Sequence, residues 1–175
     1  MSAPENFEIL VIGAGPAGCA AASILQEHGH RVLVLEREKF PRYHVGESLL
    51  PFTFHPLQRL GLIEKMRKSA FVRKYSVQFV SQSGKASQPF YFSTRYDSDI
   101  AQTWQVLRSE FDLMLMQHAR AKGATVLEEV AVTNLLKEGE RVIGYQQVTQ
   151  ATATTGGRFI GPDTDAAAHQ CRGDS

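Results

Sequence analysis

The chain has 175 residues, 43% of them hydrophobic and 21% charged, with a formal net charge of +1. That is enough to bury a core, which excludes a disordered or collagen-like chain, and no apolar run approaches the roughly 18–20 residues that span a bilayer. The near-neutral charge gives no electrostatic ground for nucleic acid or an anionic membrane as partner. Cys19 and Cys171 stand far apart, with no CxxC pair and no metal-type Cys/His spacing, so neither a disulfide framework nor a metal site is expected. Pro4, Glu5, Asn6 and Glu8 precede the first apolar run, the wrong chemistry for a signal peptide, and a cytoplasmic location is expected.

Phe7 to Ile12 is short, rich in Ile, Leu and Val, and ends in glycine, which predicts a strand buried on both faces. Pro16 suits the first turn of a helix, and Ala17, Cys19, Ala20, Ala21, Ala22 and Ser23 let that helix lie close to a sheet. His28 and Gly29 stop it. Arg31 to Glu36 reads as a second buried strand, and such a crossover makes the two strands parallel. Pro41, Gly46, Pro51 and Pro56 break the pattern from Arg37 to Pro56, a loop long enough to suggest function.

Leu57 to Lys68 resumes a helical period, interrupted at Gly61. Tyr75 to Ser81 alternates as a strand, Gly84 turns the chain, and a second β segment is expected around Pro89 to Ser93. Leu107, Phe111, Met114, Leu115 and His118 predict an amphipathic helix over Leu107 to Lys122, ended by Gly123, with Ser109 as its N-cap. Thr125 to Val132 and Arg141 to Gln147 read as strands joined near Gly139. From residue 149 on, a Thr/Ala/Gly tract and a stretch without period predict an irregular or disordered tail. The expected fold is α/β: a Rossmann-like domain over 1–148 with a parallel sheet and an accessory β segment.

The chemistry begins at Gly13-Ala14-Gly15-Pro16-Ala17-Gly18, a GxGxxG between a predicted strand and a predicted helix. Gly13 turns the chain, Gly15 lets a pyrophosphate approach the backbone, and Gly18 lets helix and strand touch. Pro16 and Ala17 open a helix whose N-terminal amides and dipole favour phosphate. Glu36 follows the last glycine by about eighteen residues, near the spacing at which a carboxylate binds a ribose 2′-OH. A 2′-phosphate would be repelled there, so FAD or NAD is favoured over NADP. Arg37 could soften that repulsion or be a solvated charge.

The loop Phe40-Pro41-Arg42-Tyr43-His44-Val45-Gly46-Glu47-Ser48-Leu49-Leu50-Pro51 distinguishes these cofactors. With it, the chain from about residue 7 to 148 resembles the N-terminal part of FAD-dependent oxidoreductases that include flavin-dependent halogenases, geranylgeranyl-reductase-like enzymes and the hydroxybenzoate-hydroxylase fold. The resemblance implies FAD as cofactor, with Gly46, Glu47 and Ser48 beside the flavin. It also implies that Arg108, in Trp104-Gln105-Val106-Leu107-Arg108, contacts FAD, and that backbone groups at Val132 hold the adenine. An arginine opening a helix opposes the macrodipole, so a nearby anion would explain it. From the residues alone, Arg42, His44 and Glu47 read as an ordinary polar loop and Val132 as a core strand residue.

Phe71-Val72-Arg73-Lys74-Tyr75-Ser76 resembles the halogenase segment whose lysine meets hypochlorous acid, although that family carries glycine where this chain has Ser76. The resemblance implies Lys74 as catalytic residue, in enzymes where reduced flavin and O2 form a C4a-hydroperoxide. A movable amine whose pKa responds to burial suits the role. The alternative is that Arg67, Lys68, Arg73 and Lys74 form a solvated basic face. The resemblance further implies a small-molecule substrate and a flavin reductase as partner. The later motifs of such enzymes, an Asp-Ala/Gly-Ser-Gly strand end, a GDA-type FAD contact and a substrate domain, are not in these residues. The expectation is therefore an FAD-dependent monooxygenase or halogenase in truncated form. The alternatives are an FAD-binding fragment without catalysis and an isoprenoid reductase.

Overall fold

The first apolar run becomes β1 (Ile9–Ile12), followed by α1 (Pro16–Glu27) and β2 (Val32–Leu35). This is a computed structural model, and it describes residues 7–149 and 152–158. β1 and β2 pair in parallel, Ile9 beside Val32 and Ile12 beside Leu35, which is the crossover the sequence predicts. All four β2 residues are buried, and the buried side of α1 is Cys19, Ala22 and Ser23, small enough for close packing.

By contact density the chain divides into two compact units. One holds the described residues up to Arg42 together with those from Asp112 on; the other is Tyr43–Phe111. The second unit carries α2 (Phe54–Arg59) and α3 (Ile63–Lys68), separated at Gly61 as predicted. Two small antiparallel pairs follow: β3 (Val72–Lys74), β4 (Ser76–Val77), β5 (Phe90–Tyr91) and β6 (Thr103–Gln105) join as β3 with β6 and β4 with β5. The alternation over Tyr75–Ser81 thus yields a two-residue strand, while Lys74 ends a strand the period does not show. Trp104 and Met66 are the largest fully buried side chains of this unit.

The amphipathic segment forms α4 (Arg108–Ala121). The Leu107 carbonyl accepts the Glu110 and Phe111 amides at 3.0 and 2.9 Å, so Leu107 caps the helix and Ser109 lies in its first turn. The predicted strand over Thr125–Val132 is two strands, β7 (Thr125–Leu127) and β8 (Val130–Glu138). The break is at Glu129, whose φ of 62° turns the chain from one sheet into the other. β7 extends the parallel sheet in the order β1-β2-β7. β8, β9 (Arg141–Thr149) and β10 (Thr152–Arg158) form an antiparallel sheet in the order β10-β9-β8.

β10 falls where composition predicts no regular structure. Its ladder with β9 runs backbone to backbone, Thr155 beside Gln147 and Gly157 beside Tyr145, and such pairing needs no hydrophobic period. The remainder of the predicted irregular tail, with Cys171, lies outside the described residues. Leu33 and Leu35 pack with Val130 and Tyr145, and Leu10 and Val132 join that core. Among the described residues no helix is long and apolar enough to cross a membrane.

Candidate cofactor-binding site

In the first unit the glycine loop leaves β1 at Gly13, with φ +97°, and the Gly13 amide donates to the Leu35 carbonyl at 2.7 Å. A Cβ at Gly18 would stand 2.0 Å from the Gly13 carbonyl oxygen, so α1 rides on the loop at a distance that excludes any side chain. Gly15 is different. Its backbone is extended (φ −72°, ψ −179°), and a Cβ there would meet Arg42 Nη2 at an ordinary 3.8 Å. Neither backbone conformation nor packing requires glycine at 15; what its absent side chain leaves open is approach to the backbone. Gly15 is also the N-cap of α1, gives it no side-chain cap, and is followed by Pro16 and Ala17. This is the cradle a pyrophosphate needs.

Glu36 follows β2 and is joined to this loop. Its Oε2 accepts the Ala14 amide at 2.8 Å and Arg42 Nη2 at 3.3 Å; its Oε1 accepts the Glu38 amide at 3.0 Å. Burial alone would push the Glu36 carboxyl up, but the Ala14 and Glu38 amides and the Arg42 guanidinium outweigh it and hold it below the ordinary carboxylate range. It stays ionised at neutral pH. Arg42 also donates from Nη1 to Asp112 Oδ2 at 3.0 Å, with both side chains buried. The Arg42 Cζ lies 4.6 Å from the centre of the Phe40 ring.

Arg42 and Asp112 are the residues that reading the sequence misses. The polar-loop reading of Arg42 is corrected here: it is 7% exposed and bridges two carboxylates. The available signal was Asp112 itself, a carboxylate at helical spacing with Met116 and Ala119, all three buried, because a charge on a buried face calls for a partner. Arg37 lies outside this network: its side chain is 72% exposed and pairs with Glu38 at 3.5 Å. Val132 sits in β8 against the Leu33–Leu35 core.

The second unit gathers the other candidates. Gly46 has φ +109°, and Arg108 Nη1 donates to the Val45 carbonyl at 2.8 Å. The Glu47 carbonyl accepts the Val106 amide at 2.8 Å, and the Leu49 amide donates to Trp104 at 3.1 Å. Ser48 faces Gln105 in an antiparallel bridge. The loop is thus hung along β6 and its continuation, with Arg108 bracing its turn. Lys74, at the end of β3, donates from Nζ to Ser48 Oγ and lies 5.7 Å from the centre of the Phe92 ring. Gly46, Glu47, Ser48, Lys74 and Arg108 therefore form one cluster. Among the described residues no group of three His, Cys, Asp or Glu side chains could hold a metal.

A parallel sheet with an open glycine loop and an ionised acid at the end of its second strand defines a dinucleotide-binding α/β protein. Residues 6–158 match the FAD binding domain family, and the chain belongs to it; its cofactor is FAD. The chain is 42% identical over 136 residues to the flavin-dependent halogenase armH4 of Armillaria mellea, covering 76% of this chain and 26% of that protein. To the tryptophan 2-halogenase of Chondromyces crocatus it is 35% identical over 156 residues, 89% of this chain and 29% of that one. Among solved structures, the myxobacterial chondrochloren halogenase CndH is similar with a TM-score of 0.81 at 37% identity, covering 89% of this chain and 36% of that one. The flavin-dependent halogenase CmlS is similar with a TM-score of 0.74 at 37% identity, over 88% and 28% of the two chains. The chain spans about a quarter of the length of the curated relatives it matches.

Proposed function

We propose that this chain is the FAD-binding part of a cytoplasmic flavin-dependent oxidoreductase of the halogenase or monooxygenase type, acting on a small molecule with reduced flavin supplied by a flavin reductase. The observation that carries this reading is Lys74 donating to Ser48 of the Gly46-Glu47-Ser48 loop, in a chain whose relatives are halogenases. Bound FAD supplies the redox and oxygen chemistry. Gly13, Gly15 and Gly18, with Pro16 and Ala17 at the start of α1, would receive its pyrophosphate, and Glu36 its ribose. Backbone groups at Val132 would hold the adenine, and Gly46, Glu47, Ser48 and Arg108 would shape the loop beside the flavin. Arg37, exposed and paired with Glu38, would stand beside that ribose.

A lysine ammonium has three donors. Ser48 accepts one and so orients the group, leaving two for the oxygen of a small electrophilic oxidant such as hypochlorous acid. Lys74 is the catalytic residue of this reading. The chain is tested with reduced FAD, O2, chloride and monochlorodimedone: chlorination that disappears in Lys74→Ala supports the reading, and chlorination undiminished in that variant overturns it.

A second reading is an FAD-binding module without catalysis of its own. FAD binding with no turnover in the same assay would assign it.

A further inference from the structure

We propose that Arg42 and Asp112 are positioning residues for the dinucleotide, setting Glu36 so that one acceptor site on its carboxylate is reserved for a ribose hydroxyl. The proposal rests on the reading of Glu36 as the ribose acceptor, and it adds two residues that carry no part of the glycine fingerprint.

The carboxylate offers about four lone-pair directions. Three are taken by the Ala14 amide, the Glu38 amide and Arg42 Nη2. The Arg42 contact falls on Oε2, which already receives Ala14, so the remaining site is on Oε1. Arg42 can make that contact in one orientation because its other terminal nitrogen is held by Asp112, which is fully buried in α4. The Phe40 ring stacked on the guanidinium restricts its plane.

Stability alone does not account for this arrangement. Arg42 Nε is buried with no hydrogen-bond partner among the described residues. Buried ion pairs contribute little against well-packed apolar side chains, and an unsatisfied donor adds a cost. What the triad does supply is a fixed acceptor tied to the glycine loop through the Ala14 amide, with one carboxylate site open to a hydroxyl donor.

The experiment titrates the full chain by calorimetry with ADP and with 2′-deoxy-ADP, which differ by the hydroxyl in question. The wild-type chain is expected to prefer ADP by roughly tenfold or more, the ratio of a hydrogen bond to a charged acceptor, and Glu36→Gln to bring the ratio near one. Asp112→Asn, folded by circular dichroism, is expected to lose most of that preference by weakening ADP and leaving 2′-deoxy-ADP unchanged. A purely structural role would weaken both nucleotides equally and keep the ratio, and that result overturns the proposal. Should Asp112→Asn fail to fold, Arg42→Lys keeps the charge but not the two-ended bridge, and the same two outcomes apply. If the wild-type chain itself shows no preference, the Glu36 reading fails, recognised by Glu36→Gln behaving as wild type, and the proposal falls with it.

Discussion

The Ala14 amide donates to Glu36 Oε2 over 2.8 Å, which makes the glycine loop and the carboxylate after β2 one structural piece. The folded environment holds Glu36 below the ordinary carboxylate range, through amide and Arg42 contacts that outweigh burial. A lowered carboxyl contributes stability that is present above its unfolded pKa, roughly 4.3, and is lost as pH falls through the folded value. Glu36→Gln is therefore expected to be less stable than wild type at pH 7 by about 1–3 kcal/mol in urea unfolding. The gap closes in acid, below roughly pH 4.3. A gap that persists unchanged into acid would contradict the account.

Gly15 and Gly18 separate ligand from fold. Gly18→Ala places a Cβ 2.0 Å from the Gly13 carbonyl oxygen and should prevent native folding or lower the melting temperature by many degrees. Gly15→Ala meets one ordinary contact at 3.8 Å and should cost no more than about 1 kcal/mol, yet its methyl group is expected to block the pyrophosphate. Thermal melts beside FAD titrations read both: Gly15→Ala folds and does not bind.

Cys19 should be chemically silent. Burial, with Asp112 adding to it, pushes its thiol up to about 12, and the side chain donates to the Ala14 carbonyl at 3.1 Å. In Cys171→Ser protein, Ellman's reagent at pH 8 should find no thiol in the native state and one in denaturant. Rapid native labelling would show that α1 opens away from the loop.

Gly46 and Arg108 should be energetically coupled. A Cβ at Gly46 would need φ near +109° and would lie 3.0 Å from Arg108 Nη1. Gly46→Ala alone is expected to cost about 1–3 kcal/mol through backbone strain, and the double variant with Arg108→Ala less than the sum of the two. A coupling under about 0.5 kcal/mol in the double-mutant cycle would mean that Arg108 does not brace this turn.

The parts of this fold legible in the sequence are those written locally. β1, α1 and β2 announce themselves by apolar runs, glycines and Pro16, and Glu36 follows by spacing. Arg42 and Asp112 are 70 residues apart, and Arg42 alone reads as part of a polar loop, so their meeting is visible only once helix and loop are folded. Lys74 reaches Ser48 across 26 residues; the resemblance pointed to both residues but not to the bond between them. Leu107, not Ser109, caps α4 because the backbone places the start of the helix one residue before the polar side chain. β10 escaped because its ladder to β9 is a matter of backbone pairing, which composition does not encode.

The central claim, that this chain holds the ADP half of FAD on the Gly13–Gly18 loop and Glu36, is tested most directly by titrating it with FAD, ADP and FMN under one set of conditions. FAD and ADP should bind with similar affinity, FMN at least roughly tenfold more weakly, since it lacks the groups that Glu36 would hold, and Gly15→Ala should abolish the first two. FMN binding as tightly as FAD, or FAD and ADP failing to bind at all, would contradict the account.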